Sequence, residues 1–290
     1  MRTLLISLSL ASTFAMGSAH GEATPEVTGT LEVNGDKIPV KQVYALQHDN
    51  EEGLLDGPEL RLLLVDREVN PDLLGGLILS ALDDMARAKQ VRGLIIRFDP
   101  KKDPREVHET LLVAPESAQA TLPFMTSSGS ETSIKKLEIK DGKVSGVVES
   151  KSADDSIFPD MPKYSYHLTF TAPIRSTPPI TAKLKGAEAL ASPQAKLVLA
   201  FEKAVRDGDF DAARKLAVDS RMHELDQMVQ QVGKAAFLEQ AKQMIPENAV
   251  HAKQLTDVVV RGKHGFVIFK EEGSRTPVPV IESGGTWKVE

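Results

Sequence analysis

Hydrophobic positions recur at every second residue through the first half of the chain, and at every third or fourth residue after Ser192, before alternation returns near the C-terminus. Val27, Gly29, Leu31 and Val33 alternate with Thr28, Thr30 and Glu32, which predicts a strand with one row toward a core and one toward water. Asn34-Gly35 follows, and because both residues tolerate positive φ they predict a tight hairpin turn into a second strand over 37–46. The run 60–65 is apolar at nearly every position, as in a strand covered on both faces. Gly93–Phe98 reads as another strand. Between them, Asn70-Pro71-Asp72 combines a cap, a proline at the first helical position and an acid at the positive end of the dipole. A helix to Gln90 is expected, its stripe formed by Leu74, Leu77, Ile78, Ala81, Leu82 and Met85. Asp141-Gly142 predicts a hairpin joining 134–140 to 143–149. Tyr164, Tyr166, Leu168 and Phe170 mark the last strand, which Ala172-Pro173 ends.

The expected organisation is a β-rich domain over 24–175 with one packed helix, a Pro/Ala-rich linker over 176–192, and an α+β domain over 193–290. In the last of these, Ser192-Pro193 caps a helix that Gly208 stops. Further helical stripes run through Phe210 to Ala217, Met222 to Val232 and Phe237 to Ile245, up to Pro246. Strands are expected over 250–261, 265–270, 276–281 and 286–289, with turns at Lys263-His264-Gly265 and Ser283-Gly284-Gly285. Helices followed by an antiparallel meander place the fold in the α+β class.

The first residues change the picture of where such a protein works. Met1-Arg2, an apolar run from Leu4 to Phe14, and then Gly17, Ser18 and Ala19 have the three regions of a signal peptide over 1–19, with cleavage after Ala19. That run is shorter than the roughly 20 residues a membrane span needs. An exported protein, periplasmic or extracellular, with no membrane insertion after cleavage is therefore expected. The chain has no cysteine, which removes thiol nucleophiles, thiolate metal sites and disulfides. Its formal charge is −6, and basic and acidic residues balance from Ser192 onward, so the excess acid lies in the first half. Nucleic acid is accordingly not an expected partner.

The order of elements after Pro193 is similar to a known family. The segment Phe201-Glu202-Lys203-Ala204-Val205-Arg206-Asp207-Gly208-Asp209-Phe210, the curling strands and the closing Gly284-Gly285-Thr286-Trp287-Lys288-Val289 resemble the nuclear transport factor 2-like superfamily, in its small exported bacterial members. The resemblance covers 193–290 and implies a cone of helices wrapped by a bent antiparallel sheet. Enzymes of that superfamily, ketosteroid isomerase among them, hold a proton-moving acid or histidine inside the cone. No catalytic motif of the family matches here position by position, so the resemblance transfers no site residue.

Strand-borne candidates for a binding site inside such a cone are His251, Lys253, Asp257 and Arg261. Trp287, the single tryptophan, is expected in the core. Chemistry elsewhere is sparse. No histidine pair has zinc-ligand spacing, and His223-Glu224 lacks a second histidine four residues on. His167 falls on the polar face of its strand. The acidic run from His48 to Glu59 does not follow the regular calcium loop and reads as a solvated loop. Ser127 to Ser130 reads as a flexible loop, and Ser145-Gly146 as a close approach within a strand. Asp83-Asp84 and Asp154-Asp155 are sequence neighbours that do not face each other. Neither Gly75-Gly76 nor Gly284-Gly285 is a phosphate loop, and no cofactor is expected.

The reading that follows is an exported, non-enzymatic protein of the bacterial envelope that binds a small apolar ligand or an envelope protein, with a homodimer through the outer sheet face left open. Its rival is an enzyme using the cone for proton transfer or hydration. An open cone with two converging titratable groups would favour the rival, and a cone packed with Phe201, Phe237, Phe266 and Trp287 would favour protein interaction.

Overall fold

The computed structural model describes residues 25–50, 57–76, 79–102, 107–114, 124–126, 132–151, 162–271 and 274–290. The segment 1–19, residues 51–56 of the acidic run, Leu77 and Ile78, Ser127 to Ser130 and Asp154-Asp155 lie outside them. The fold is α+β, built on two sheets.

The first sheet begins with β1 (Glu26–Val33) and β2 (Asp36–Ile38), joined by Asn34-Gly35, both at positive φ as their sequence requires. The strand expected over 37–46 is broken at Pro39, and β3 (Gln42–His48) follows as a separate element. Next come β4 (Glu59–Val65), β5 (Gly93–Phe98), β6 (Val107–Leu112), β7 (Phe124–Thr126), β8 (Ser133–Lys140), β9 (Lys143–Lys151) and β10 (Tyr164–Ser176). In β10 the four apolar residues from Tyr164 to Phe170 are buried and the three between them exposed, as the alternation requires. The strand does not stop at Pro173. It pairs antiparallel with β1 and β9, then passes through the proline and pairs in parallel with β3 over Ile174 to Ser176. Proline is tolerated there because β1 has already ended, opposite Thr171.

Inward residues of β3 to β6 meet those of β1, β9 and β10 in one core that includes Leu31, Leu62, Leu64, Ile96, Val148, Leu168 and Phe170. The reverse face of β4 and β5 presents Leu63, Val65 and Ile95 to a second cluster, so β4 is covered on both sides. The cover differs from the single helix expected. Asn70 caps a 3-10 turn, Pro71–Gly75, accepting from the Asp72 N–H, and α1 (Ser80–Arg87) follows as a separate short helix. Leu74, Leu82 and Ala86 are the buried contacts of these two pieces. The outer strand β8 is bent by a bulge opposite Gly146, where a Cβ would lie 3.2 Å from the Lys135 carbonyl oxygen. With Lys135, Lys136 and Lys140 on it, this edge is protected against strand addition.

The segment 176–192 is more than a connection. Ile180, Ala182 and Leu184 alternate with polar residues to form β11 (Ile180–Lys185), the edge of the second sheet, and α2 (Gly186–Ala191) follows. Next is α3 (Pro193–Asp207), capped by Ser192 and closed by Gly208 in the left-handed region. Asp209 caps α4 (Phe210–Leu216), accepting from the Ala212 N–H. α5 (Asp219–Val232), α6 (Lys234–Met244) and α7 (Asn248–Gln254) complete the helical layer. The second sheet is an antiparallel meander, β11 to β12 (Leu255–Arg261), β13 (His264–Glu271), β14 (Ser274–Ser283) and β15 (Thr286–Val289). The turn before β13 is Gly262-Lys263, one residue earlier than expected, with Gly262 at positive φ.

Candidate functional site

The space between the helices and the second sheet is occupied by apolar side chains. Phe201, Val205, Met222, Leu225 and Phe237 come from the helices, and Val258, Val267, Phe269 and Val280 from the sheet. Trp287 packs against the same cluster, partly buried, whereas Phe266 belongs to the opposite face of the sheet with Val259 and Ile268.

One titratable pair sits within that layer. Residues 248–254 form a helix, not the start of the strand expected from Val250. His251 is thereby turned inward, and its amide N–H donates to the Glu247 carbonyl. His251 Nε2 lies 3.4 Å from the Glu202 carboxylate on α3, longer than a good hydrogen bond. Its ring meets Phe269 edge-on, with centroids 4.0 Å apart. One helical turn beyond Glu202, Arg206 reaches Glu247 at 3.6 Å, joining α3 to the residue before α7. A carboxylate beside an imidazole can orient the ring and hold a proton. General acid or base work also requires a substrate within reach, and here the neighbours are core side chains.

The other three candidates do not join His251. Lys253 is exposed on α7, and Asp257 is half-buried on β12 opposite Lys185 and Ile268. Arg261, at the end of β12, is buried in the contact between the two halves of the chain. Its guanidinium donates to both carboxylate oxygens of Asp49, at 3.0 and 2.7 Å, and to the Thr177 hydroxyl. Thr177 in turn donates to Asp49 at 3.2 Å.

The same contact contains a second layer of polar groups. Arg61 is fully buried on β4, donates from Nη1 to the carbonyls of Leu74, at 2.6 Å, and Gly76, and pairs with Glu59. His264 Nε2 lies 3.2 Å from the Asp72 carbonyl. On the helical side, burial raises the carboxyl of Asp84 on α1 above the usual range, and the neighbouring Ser220 of α5 opposes that.

A third polar cluster lies in the core of the first sheet. Glu109 on β6 is buried and accepts from the hydroxyls of Tyr164, Tyr166 and Thr132. Ser150 Oγ is 3.0 Å from Thr132 Oγ1. Burial, with the neighbouring Glu109 carboxylate, pushes the Tyr166 hydroxyl far above the usual phenol range, so it stays a donor.

Glu202, Glu109 and Arg61 were not singled out by sequence, and Asp49 only as part of the acidic run read as a solvated loop, whereas it is paired with Arg261. Two of them carried a signal: Glu109 occupies the inward phase between Val107 and Leu111, and Arg61 interrupts the otherwise apolar run of β4. Asp49 and Glu202 look like ordinary solvated acids until their partners arrive from elsewhere in the chain. His167 is exposed, as expected, and 3.2 Å from Glu149. Among the described residues no group of three or more His, Asp or Glu side chains could hold a metal ion.

No family model, curated protein or solved structure matches the chain.

Proposed function

We propose that this is an exported, non-enzymatic protein of the bacterial envelope that binds another envelope protein through its helical layer. The observation that carries the reading is the packed layer between the helices and the second sheet, which fills the place where a ligand or substrate would sit. Large apolar side chains are instead turned outward on three successive helices. They are Met228 and Val232 one turn apart on α5, Met244 on α6 and Val250 on α7, with Met244 80% exposed. The run of helices followed by the meander β12 to β15, with β11 at the sheet's edge, supports the likeness to the nuclear transport factor 2-like fold, and a fold does not by itself imply catalysis. Export rests on the segment 1–19.

A photo-reactive amino acid at Met244 in the native host tests the reading. A discrete protein adduct is expected from Met244, none from the same probe at Lys136 on the protected edge, and loss of the adduct in Val250→Asp. Equal labelling from both positions would end the proposal. N-terminal sequencing of the fractionated protein tests export, with a first residue of His20 expected.

The His251–Glu202 contact favours a second reading, proton-transfer chemistry in the helical layer. Acylation of histidines by diethyl pyrocarbonate separates the two. Exposed His167 is expected to react quickly and His251 slowly. Equal rates would mean that solutes reach the pair and would favour the enzyme.

A further inference from the structure

The 3-10 turn Pro71–Gly75 is gripped from two sides. From the first sheet, Arg61 holds the carbonyls of Leu74 and Gly76. From the second, the His264 ring lies against Gly75, where a Cβ would stand 3.4 Å from Cδ2, and its Nε2 reaches the Asp72 carbonyl at 3.2 Å. A carbonyl can only accept, so Nε2 must carry the hydrogen, and Nδ1 is left with the lone pair. Nδ1 is buried and has no hydrogen-bond partner among the described residues. A second proton would therefore arrive at a site without an acceptor, in a residue only 5% exposed.

The charges around the ring make that proton less welcome still. Arg61 faces it from β4, His48 from β3, and Arg261 is its register partner on β12. The acids nearby are largely engaged: Glu59 with Arg61 and Asp49 with Arg261. Asp72, on the turn itself, attracts the charge, but its side chain is exposed to water. In the turn before its strand Lys263 is exposed, and on the next strand Glu282, half-buried, follows the register partner Ile281. The same face of the sheet carries Val259, Phe266 and Ile268, all fully buried.

We infer that the contact between the two sheets is an acid-operated latch. Protonation of His264 releases its strand from the 3-10 turn and bares Val259, Phe266 and Ile268, while the Asp49–Arg261 pair keeps the halves tethered. This goes beyond the partner-binding reading and does not rest on it. The latch gives the molecule a second apolar surface that is available only in acid.

The direction of titration agrees with the geometry. Burial above all, with Arg61 and His48 adding to it and the Asp72 carbonyl and charge opposing, holds His264 below the ordinary imidazole range of 6.5. The opened state thus binds a proton more readily than the closed one. Closure is fully favoured above the ordinary histidine pKa and weakens as pH falls below it.

Hydrogen exchange on the intact protein, corrected for the intrinsic pH dependence of amide exchange, tests the latch between about pH 7.5 and about pH 5. Amides of the released turn, 72–75, are expected to lose protection by about tenfold per pH unit below the ordinary histidine pKa, as one linked proton requires, while those of 264–269 stay paired with β12 and β14. Amides of α3 should keep theirs, and a hydrophobic dye should bind reversibly over the same range. His264→Gln keeps a side-chain N–H for the Asp72 carbonyl but cannot gain the charge, so its exchange should be independent of pH. Unchanged protection in acid, loss in step with α3, or an undiminished acid response in His264→Gln would each overturn the latch. Should His264→Gln fail to fold, the unmodified protein decides the matter alone.

Discussion

Arg261 shows what burial does to a single side chain. Its guanidinium is 1% exposed while its partner Asp49 is 39% exposed, so the two ends of one ion pair are solvated very differently. Asp49→Ala strands a buried cation and is expected to cost about 2–3 kcal/mol, less than the roughly 3–5 kcal/mol of a fully buried pair because water reaches one side. Lys203→Ala, which removes an exposed helical pair with Asp207, should leave the urea midpoint where it is. Equal midpoint shifts for the two variants would refute the assignment of Arg261 as a clamp. Tyr166 provides a second measurement. Its hydroxyl is held far above the ordinary value of 10, so the folded state keeps a proton that the unfolded chain loses. Stability is therefore whole below pH 10 and falls above it, by up to about 1.4 kcal/mol per pH unit from this group. Tyr166→Phe should flatten that slope in urea titrations between about pH 9 and about pH 11, and an unchanged slope would mean that the hydroxyl is not enclosed.

At the scale of elements, close strand approach is set by glycines that differ in kind. At Gly29, on β1, a Cβ would sit 2.0 Å from the His167 carbonyl oxygen, so the strand cannot pair with β10 unless the side chain is absent. Gly35 also has positive φ but faces open space. Gly29→Ala is expected to cost about 3 kcal/mol or more, and Gly35→Asn no more than about 0.5 kcal/mol, by thermal or urea denaturation. Asp66 joins the end of β4 to the approach to β5. Burial alone would raise its carboxyl, but Arg67 and Arg92, the latter through both side chain and backbone, outweigh it and hold the group at about 2. Its contribution is present above the ordinary 3.8 and lost as pH falls toward about 2, a slope that Asp66→Asn should remove. These elements were legible because their signals are local: Asn34-Gly35, Asp141-Gly142, the Ser192 cap and Gly208 each determine their own backbone. Residues 248–254 were expected in the strand that begins at Val250, although His251, Lys253 and Gln254 interrupt any apolar run before Val258; the helix instead turns His251 inward against Phe269. The helix expected over 71–90 was likewise divided, since the Arg61 bonds to the carbonyls of Leu74 and Gly76 are invisible from spacing.

For the whole molecule, the α+β class and the change of pattern near Ser192 could be read in advance. The polar contact between the sheets could not. Asp49, Thr177 and Arg261 lie far apart in sequence, and no periodicity marks residues whose partners arrive from another element. What the alternation did contain was the path of β10, except for its final residues beyond Pro173. That path has a kinetic corollary. Glu26 pairs with Thr171 and Val33 with Tyr164, so the first strand waits for a partner made more than a hundred residues later. During synthesis the leading half must remain an unclosed chain until Tyr164 to Thr171 emerges, and closing so long a loop is slow.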